Sequence, residues 1–269
     1  MAVTMLKNVF LKTLRDYTRP LIYWGIGVFS LNFINIIFYP SIKEQQDFNK
    51  LFEEAPEALT QLFLGEVRDL TSPEGYLNGQ IFIFMGPIIF ILFCAIIGSN
   101  LVKEEENGSL ELLLANPVSR VSVMMQKFFT LFVLSVIFGL ISWFSVVFSA
   151  QLVDMDISIQ RVFEAHVSLT LLGLVFGAMA LLVGGFSGKR NLSLGLVAAV
   201  GLGSYLLNSL APLVKDFESF KVFSVFYYYY GANPLKNGLD WGHVLVLILV
   251  SAIFLLFGVI FFKDRDLKF

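Results

Sequence analysis

The chain has 269 residues, 57% of them hydrophobic and 15% charged, with a formal net charge of −2 and a mean hydropathy of +0.76. An apolar share above the roughly 45–50% of soluble domains excludes an ordinary soluble globular protein. The near-zero charge leads us to expect no nucleic-acid partner, and the single cysteine, Cys94, rules out a disulfide framework and a thiolate metal site.

Residues 3–19 read as an amphipathic helix of 3.6-residue period. Val3, Leu6, Val9, Phe10, Thr13, Leu14 and Tyr17 share one face, and Lys12, Arg15 and Arg19 share the other. Such a helix lies in the membrane surface before the chain turns inward at Pro20; the alternative is an ordinary juxtamembrane tail.

Six runs without Asp, Glu, Lys or Arg follow, at 20–42, 75–102, 128–153, 165–188, 191–214 and 241–262. Each is long enough for a hydrocarbon core that takes about 20 helical residues. The expectation is an all-α integral membrane protein forming one domain over 1–269. Its spans lie at about 20–42, 79–102, 128–151, 165–187, 191–212 and 242–262. The first run is too long for the apolar region of a signal peptide, and no small-residue cleavage site follows it.

The polar segment 43–78 carries Glu53, Glu54, Glu57, Glu66, Asp69 and Glu74. These acids are either a solvated face or an attractor of a cation or polar substrate. In Thr71 to Leu77, TSPEGYL, Ser72 reads as an N-cap and Pro73 as the first helical residue. Gly86-Pro87 predicts a kink in the second span. Gly173 and Gly177 form GxxxG in the fourth, a pattern open to a subunit interface or to internal packing. The uncharged run 222–235 is too short to span. With FYYYY at Phe226 to Tyr230, it suits an interfacial or re-entrant segment whose tyrosines form a headgroup belt.

Six spans put both termini on one side with loops 103–127 and 189–190. That side holds twelve of the nineteen basic residues, so the positive-inside rule makes it cytoplasmic and leaves 43–78 and 213–241 extracellular.

The spans contain no charged side chain, and His166 and His243 sit at outer ends, where an interfacial role is expected. This argues against an ion-coupled secondary carrier, which keeps ionisable groups within its spans. HExxH and serine-based catalytic constellations are missing. Gly185 to Arg190, GFSGKR, has Val183 where a phosphate loop needs glycine and Arg190 where it needs Ser or Thr. We therefore expect no enzyme activity and no cofactor bound by this chain.

One stretch remains, Lys103 to Arg120, KEEENGSLELLLANPVSR. Asn107-Gly108 permits a turn, Ser109 reads as a cap, Glu111 lies in the first helical turn, and Asn116-Pro117 ends the helix. Leu110, Leu112, Leu113 and Leu114 then crowd a two-turn rod at the membrane surface. Either a partner groove receives them or they fold back onto the bilayer or the spans.

This stretch resembles the cytoplasmic motif of ABC-2 type transporter permeases, with glycine, serine, glutamate, leucines, proline and arginine in matching register. The likeness extends through TSPEGYL, SYLLNSLAP (Ser204 to Pro212), FYYYYGANPLKNGLDW (Phe226 to Trp241) and the terminal KDRDL. The resemblance implies a permease subunit that pairs with a second permease, as homodimer or heterodimer, and with two ABC ATPase subunits that carry ATP and Mg. It implies export, in the plasma membrane of a prokaryote, with 1–19 as connecting helix and Gly108 to Arg120 as coupling helix. Gly108 and Ser109 would set turn and cap, Glu111, Leu112 and Leu113 with Leu110 beside them would meet the ATPase, and Pro117 and Arg120 would end and anchor the helix. Glu104, Glu105 and Glu106 read either as a solvated face or as candidate contacts to the connecting helix, one of them pairing with a basic residue there. Spans rich in Phe, Leu and Gly suit a hydrophobic or amphipathic substrate. The alternatives are a secondary carrier and a non-transporting scaffold.

Overall fold

The computed structural model describes residues 8–44, 56–64, 69–114, 118–214 and 217–266. It contains six helices long and apolar enough to cross a membrane, and no strand among the described residues. The protein is an all-α integral membrane protein. Spans 1 to 6 are Thr18–Lys43, Pro73–Gly98, Arg120–Leu152, Ile159–Ser187, Arg190–Leu213 and Trp241–Asp264.

Span 4 is the centre. It packs against spans 2, 3, 5 and 6, while span 1 leans on span 3. Lipid is as apolar as a leucine side chain, so span association rests on close packing and on interhelical hydrogen bonds. Glycine supplies the first of these. A Cβ added at Gly98 would lie 2.1 Å from the Gly177 carbonyl oxygen, and one at Gly173 would lie 2.9 Å from Cys94 Sγ. The GxxxG of span 4 is therefore spent on the internal contact with span 2. Phe138 of span 3 packs against span 2, its ring 4.8 Å from that of Phe90 and 4.1 Å from that of Phe93.

The second means is a buried polar chain linking spans 1, 3 and 4. Asn32 Nδ2 donates to Ser145 Oγ at 2.7 Å and Ser142 Oγ at 3.3 Å, and Ser142 Oγ meets His166 Nε2 at 3.2 Å. His166 Nδ1 lies 2.8 Å from the Val162 carbonyl oxygen. The expectation of an interfacial His166 is thus corrected: at 2% exposure it is a core residue, because both ring nitrogens find partners inside the bundle. Polar groups without charge escaped a search for charged residues alone.

Span 2 begins as the sequence suggests. Ser72 Oγ accepts from Gly75 N and Pro73 opens the helix. Ahead of Gly86-Pro87 the backbone runs as a π-helix over Asn78–Met85. Proline offers no N–H and its ring crowds the preceding turn, and a wider turn relieves both. Onto this segment docks the short helix Val225–Tyr230. The Tyr229 hydroxyl donates to the Phe82 carbonyl oxygen at 2.8 Å, and the Tyr230 hydroxyl donates to Asn78 Oδ1. The expected headgroup belt is corrected accordingly: Tyr229 is fully enclosed and Tyr230 half-buried, since their hydroxyls are used within the bundle.

Candidate coupling site at the base of the spans

On the face that carries the termini, span 2 continues as a helix over Asn100–Glu106, Gly108 turns the chain at φ +71°, and a helix over Ser109–Leu114 follows. Each of the three consecutive glutamates takes a different partner. Glu104 is 6% exposed. Its Oε2 lies 2.7 Å from Lys127 Nζ and its Oε1 lies 3.1 Å from Lys12 Nζ, while Asn100 Nδ2 donates to Oε1 at 3.4 Å. Glu105 pairs with Arg265, whose Nη1 also donates to the Gly184 and Gly185 carbonyls at the end of span 4. Glu106 Oε1 accepts from Arg190 N at the start of span 5 at 3.1 Å.

Glu104 therefore joins three elements. Lys127 belongs to span 3, which opens at Arg120 on the Ser119 cap, and its burial is tolerated because it is paired. Lys12 belongs to the N-terminal helix Val9–Asp16, which buries Val9 and Thr13, with Tyr17 just after it, while Thr13 Oγ1 accepts from Lys127 Nζ at 2.9 Å. On the basic face of this helix Arg15 and Arg19 are exposed, and Lys12 turns toward Glu104. Val3, Leu6 and the rest of residues 1–7 lie outside the described residues. Burial pushes the Glu104 carboxyl up, but the ammonium groups of Lys127 and Lys12 outweigh it and hold the group below the usual carboxylate range.

The other residues of the motif separate by role. Leu110 is fully buried in a cluster with Val9, Leu101, Val123, Met124, Leu181 and Phe262, so it belongs to the bundle and not to an exposed rod. Ser109 Oγ donates backward to the Glu104 carbonyl oxygen at 3.2 Å, tying the turn to the preceding helix. Glu111 is exposed in the first turn. Arg120 opens span 3 and donates to the carbonyl oxygens of Phe262, Lys263 and Arg265, so it anchors the end of span 6. Leu112 and Leu113 lie on the helix with side chains outside the described residues, and Pro117 lies outside them altogether.

The helix Ser109–Leu114 thus lies between the Glu104 junction and the Arg120 anchor at the base of the bundle. Comparison with protein families matches residues 7–267 to the family described as ABC-2 family transporter protein. The chain belongs to the ABC-2 transporter family. It is a membrane permease of an ABC transporter, the membrane-spanning component as distinct from the ATPase, and the family implies an ABC ATPase partner. Comparison with curated proteins gives no match. What sequence reasoning missed in this ABC-2 permease is Lys127, Thr13 and Arg265. Their positions as bases or polar residues just outside uncharged runs were visible, but no local spacing links residues 92 to 160 positions apart.

Proposed function

We propose that this permease converts ATP-driven movement of an ABC ATPase into rearrangement of its spans through the helix Ser109–Leu114. The observation that carries the reading is the Glu104 junction immediately before that helix, where one carboxylate holds Lys12 and Lys127. Force applied at Glu111, Leu112 and Leu113 enters the helix Asn100–Glu106 through the Gly108 turn and Ser109. From there Glu104 hands it to span 3 and the N-terminal helix, Glu105 to the ends of spans 4 and 6, and Glu106 to span 5. Pro117 and Arg120 end the motif on the span 3 side.

In this reading the permease works as half of a homodimer or heterodimer with two ATPase subunits, which hold ATP and Mg. The termini face the cytoplasm of a prokaryotic cell. Spans 1, 5 and 6 expose most of their apolar surface, which supports contact with lipid and with a second permease. Export of a hydrophobic or amphipathic substrate fits that surface.

The test is co-purification of the ATPase, ATPase stimulation and substrate efflux at matched membrane expression. Leu113→Asp is expected to abolish all three, because an unpaired carboxylate in an apolar groove costs more than the roughly 2–7 kcal/mol of an unpaired neutral polar group. Glu111→Gln is expected to weaken them modestly, by about 0.3–1 kcal/mol of helix-end interaction. Wild-type assembly and efflux by Leu113→Asp would overturn the assignment.

A further inference from the structure

On the face opposite the termini a cavity of about 600 Å³ opens between the starts of spans 2 and 4 and the loop that ends in the short capped helix Pro234–Asn237. That size lies within the roughly 300–1,000 Å³ of small-molecule sites. Its lining carries both signs of charge: Asp69 and Glu74 on the span 2 side, Arg161 on span 4, and Lys236 on the short helix. These charges do not neutralise one another. Arg161 pairs with Glu164 at 3.0 Å, and Asp69 Oδ1 is occupied by Thr71 N and Thr71 Oγ1. Glu74 and Lys236 are exposed and have no ion-pair partner among the described residues.

Asn78 adds a neutral amide to the lining. The residue is 3% exposed and lines the cavity, and its Oδ1 accepts from the Tyr230 hydroxyl. The opposite wall is held in place at some conformational cost. Asn233 adopts φ +49°, and its Oδ1 accepts from Lys236 N at 3.4 Å, which sets Lys236 at the rim.

We propose that this cavity binds a small zwitterion carrying an ammonium and a phosphate group. Glu74 faces the ammonium, Lys236 and Arg161 face the phosphate, and Asn78 Nδ2 donates to a phosphate oxygen. A simple anion would meet Glu74 and Asp69, and a simple cation would meet Lys236 and Arg161, so only a ligand with both charges satisfies both walls. Ser158 caps span 4 beside Arg161 and brings the positive end of a 29-residue helix to the phosphate side. The same chemistry exists in soluble phosphoethanolamine and in the headgroup of phosphatidylethanolamine. The site does not depend on the ATPase reading, since it lies at the other end of the spans.

The experiment uses the full chain in nanodiscs of phosphatidylglycerol, titrated calorimetrically with phosphoethanolamine, inorganic phosphate and ethanolamine. Phosphoethanolamine is expected to bind at least about tenfold more tightly than either fragment, and Glu74→Gln and Lys236→Gln are each expected to weaken it about tenfold. Lys263→Gln, on the opposite face, is expected to leave binding unchanged. Repeating the titration with phosphatidylethanolamine in the disc separates the sources: loss of soluble binding assigns the lipid headgroup, and unchanged binding assigns the soluble zwitterion. Absence of phosphoethanolamine binding in phosphatidylglycerol discs, equal binding of phosphate, or wild-type affinity in both variants would overturn the proposal.

Discussion

At Glu104 a nearly enclosed carboxylate lies between two ammonium groups contributed by chain segments 92 and 23 residues away. Such an arrangement is held together by its completeness. Removing one partner strands the other charge, whereas removing both leaves an apolar contact. Glu104→Gln is therefore expected to lower stability by about 3–5 kcal/mol, read as a fall in Tm in detergent, and adding Lys127→Met should recover most of the loss. An unchanged Tm for Glu104→Gln would refute the junction. The pH dependence has a definite sign. Because Lys127 and Lys12 depress the folded-state carboxyl despite its burial, the pairing stabilises the fold above the unfolded value of about 4.3 and is lost as pH falls through the folded value. The Tm gap between wild type and Glu104→Gln should stay constant at neutral pH and begin to narrow below about pH 4.3.

Between elements, the contact of spans 2 and 4 depends on glycine having no side chain. Gly98→Ala sets a methyl against the Gly177 carbonyl, a backbone atom that cannot rotate away. Overpacking of this kind costs about 1–3 kcal/mol. Gly27→Ala is the control, since a Cβ there meets nothing within 4 Å, and its Tm is expected to rise slightly or stay level. Equal effects of the two substitutions would show that the close approach is not limiting. The helix Val225–Tyr230 rests on hydroxyl donors, so Tyr229→Phe, which keeps the ring and drops the donation to Phe82, should cost about 0.6–1.7 kcal/mol. Thermal unfolding of that single variant measures it.

The bundle as a whole is unevenly covered: span 4 is buried along most of its length, and spans 1, 5 and 6 are not. A permease pair would use part of that exposed surface. In a Cys94→Ala background, cysteines placed singly at Tyr23, Leu202 and Leu256, all strongly exposed, are expected to give at least one disulfide-linked permease dimer in native membranes. A cysteine at Leu172, fully buried, is expected to give none. Absence of crosslinks from all three exposed positions would count against a permease pair that meets along these spans.

Hydropathy by itself determined that this is a six-span helical membrane protein, because crossing a hydrocarbon core imposes a length and an apolarity on every segment. The Lys103–Arg120 pattern likewise carried the family, since turn, cap and stop residues act within a few positions of one another. Ser72 and Pro73 were legible for the same reason. What local pattern does not encode is which charge meets which across the bundle. The burial of Lys127 in span 3 depends on Glu104 neutralising it, and the inward turn of Leu110 on a cluster drawn from the N-terminal helix and spans 3, 4 and 6. His166 and the tyrosines of Phe226 to Tyr230 read as interfacial until the bundle supplied partners for their polar atoms. Those assignments belong to the tertiary structure, because in a dry interior a polar side chain goes where its hydrogen bond can be made.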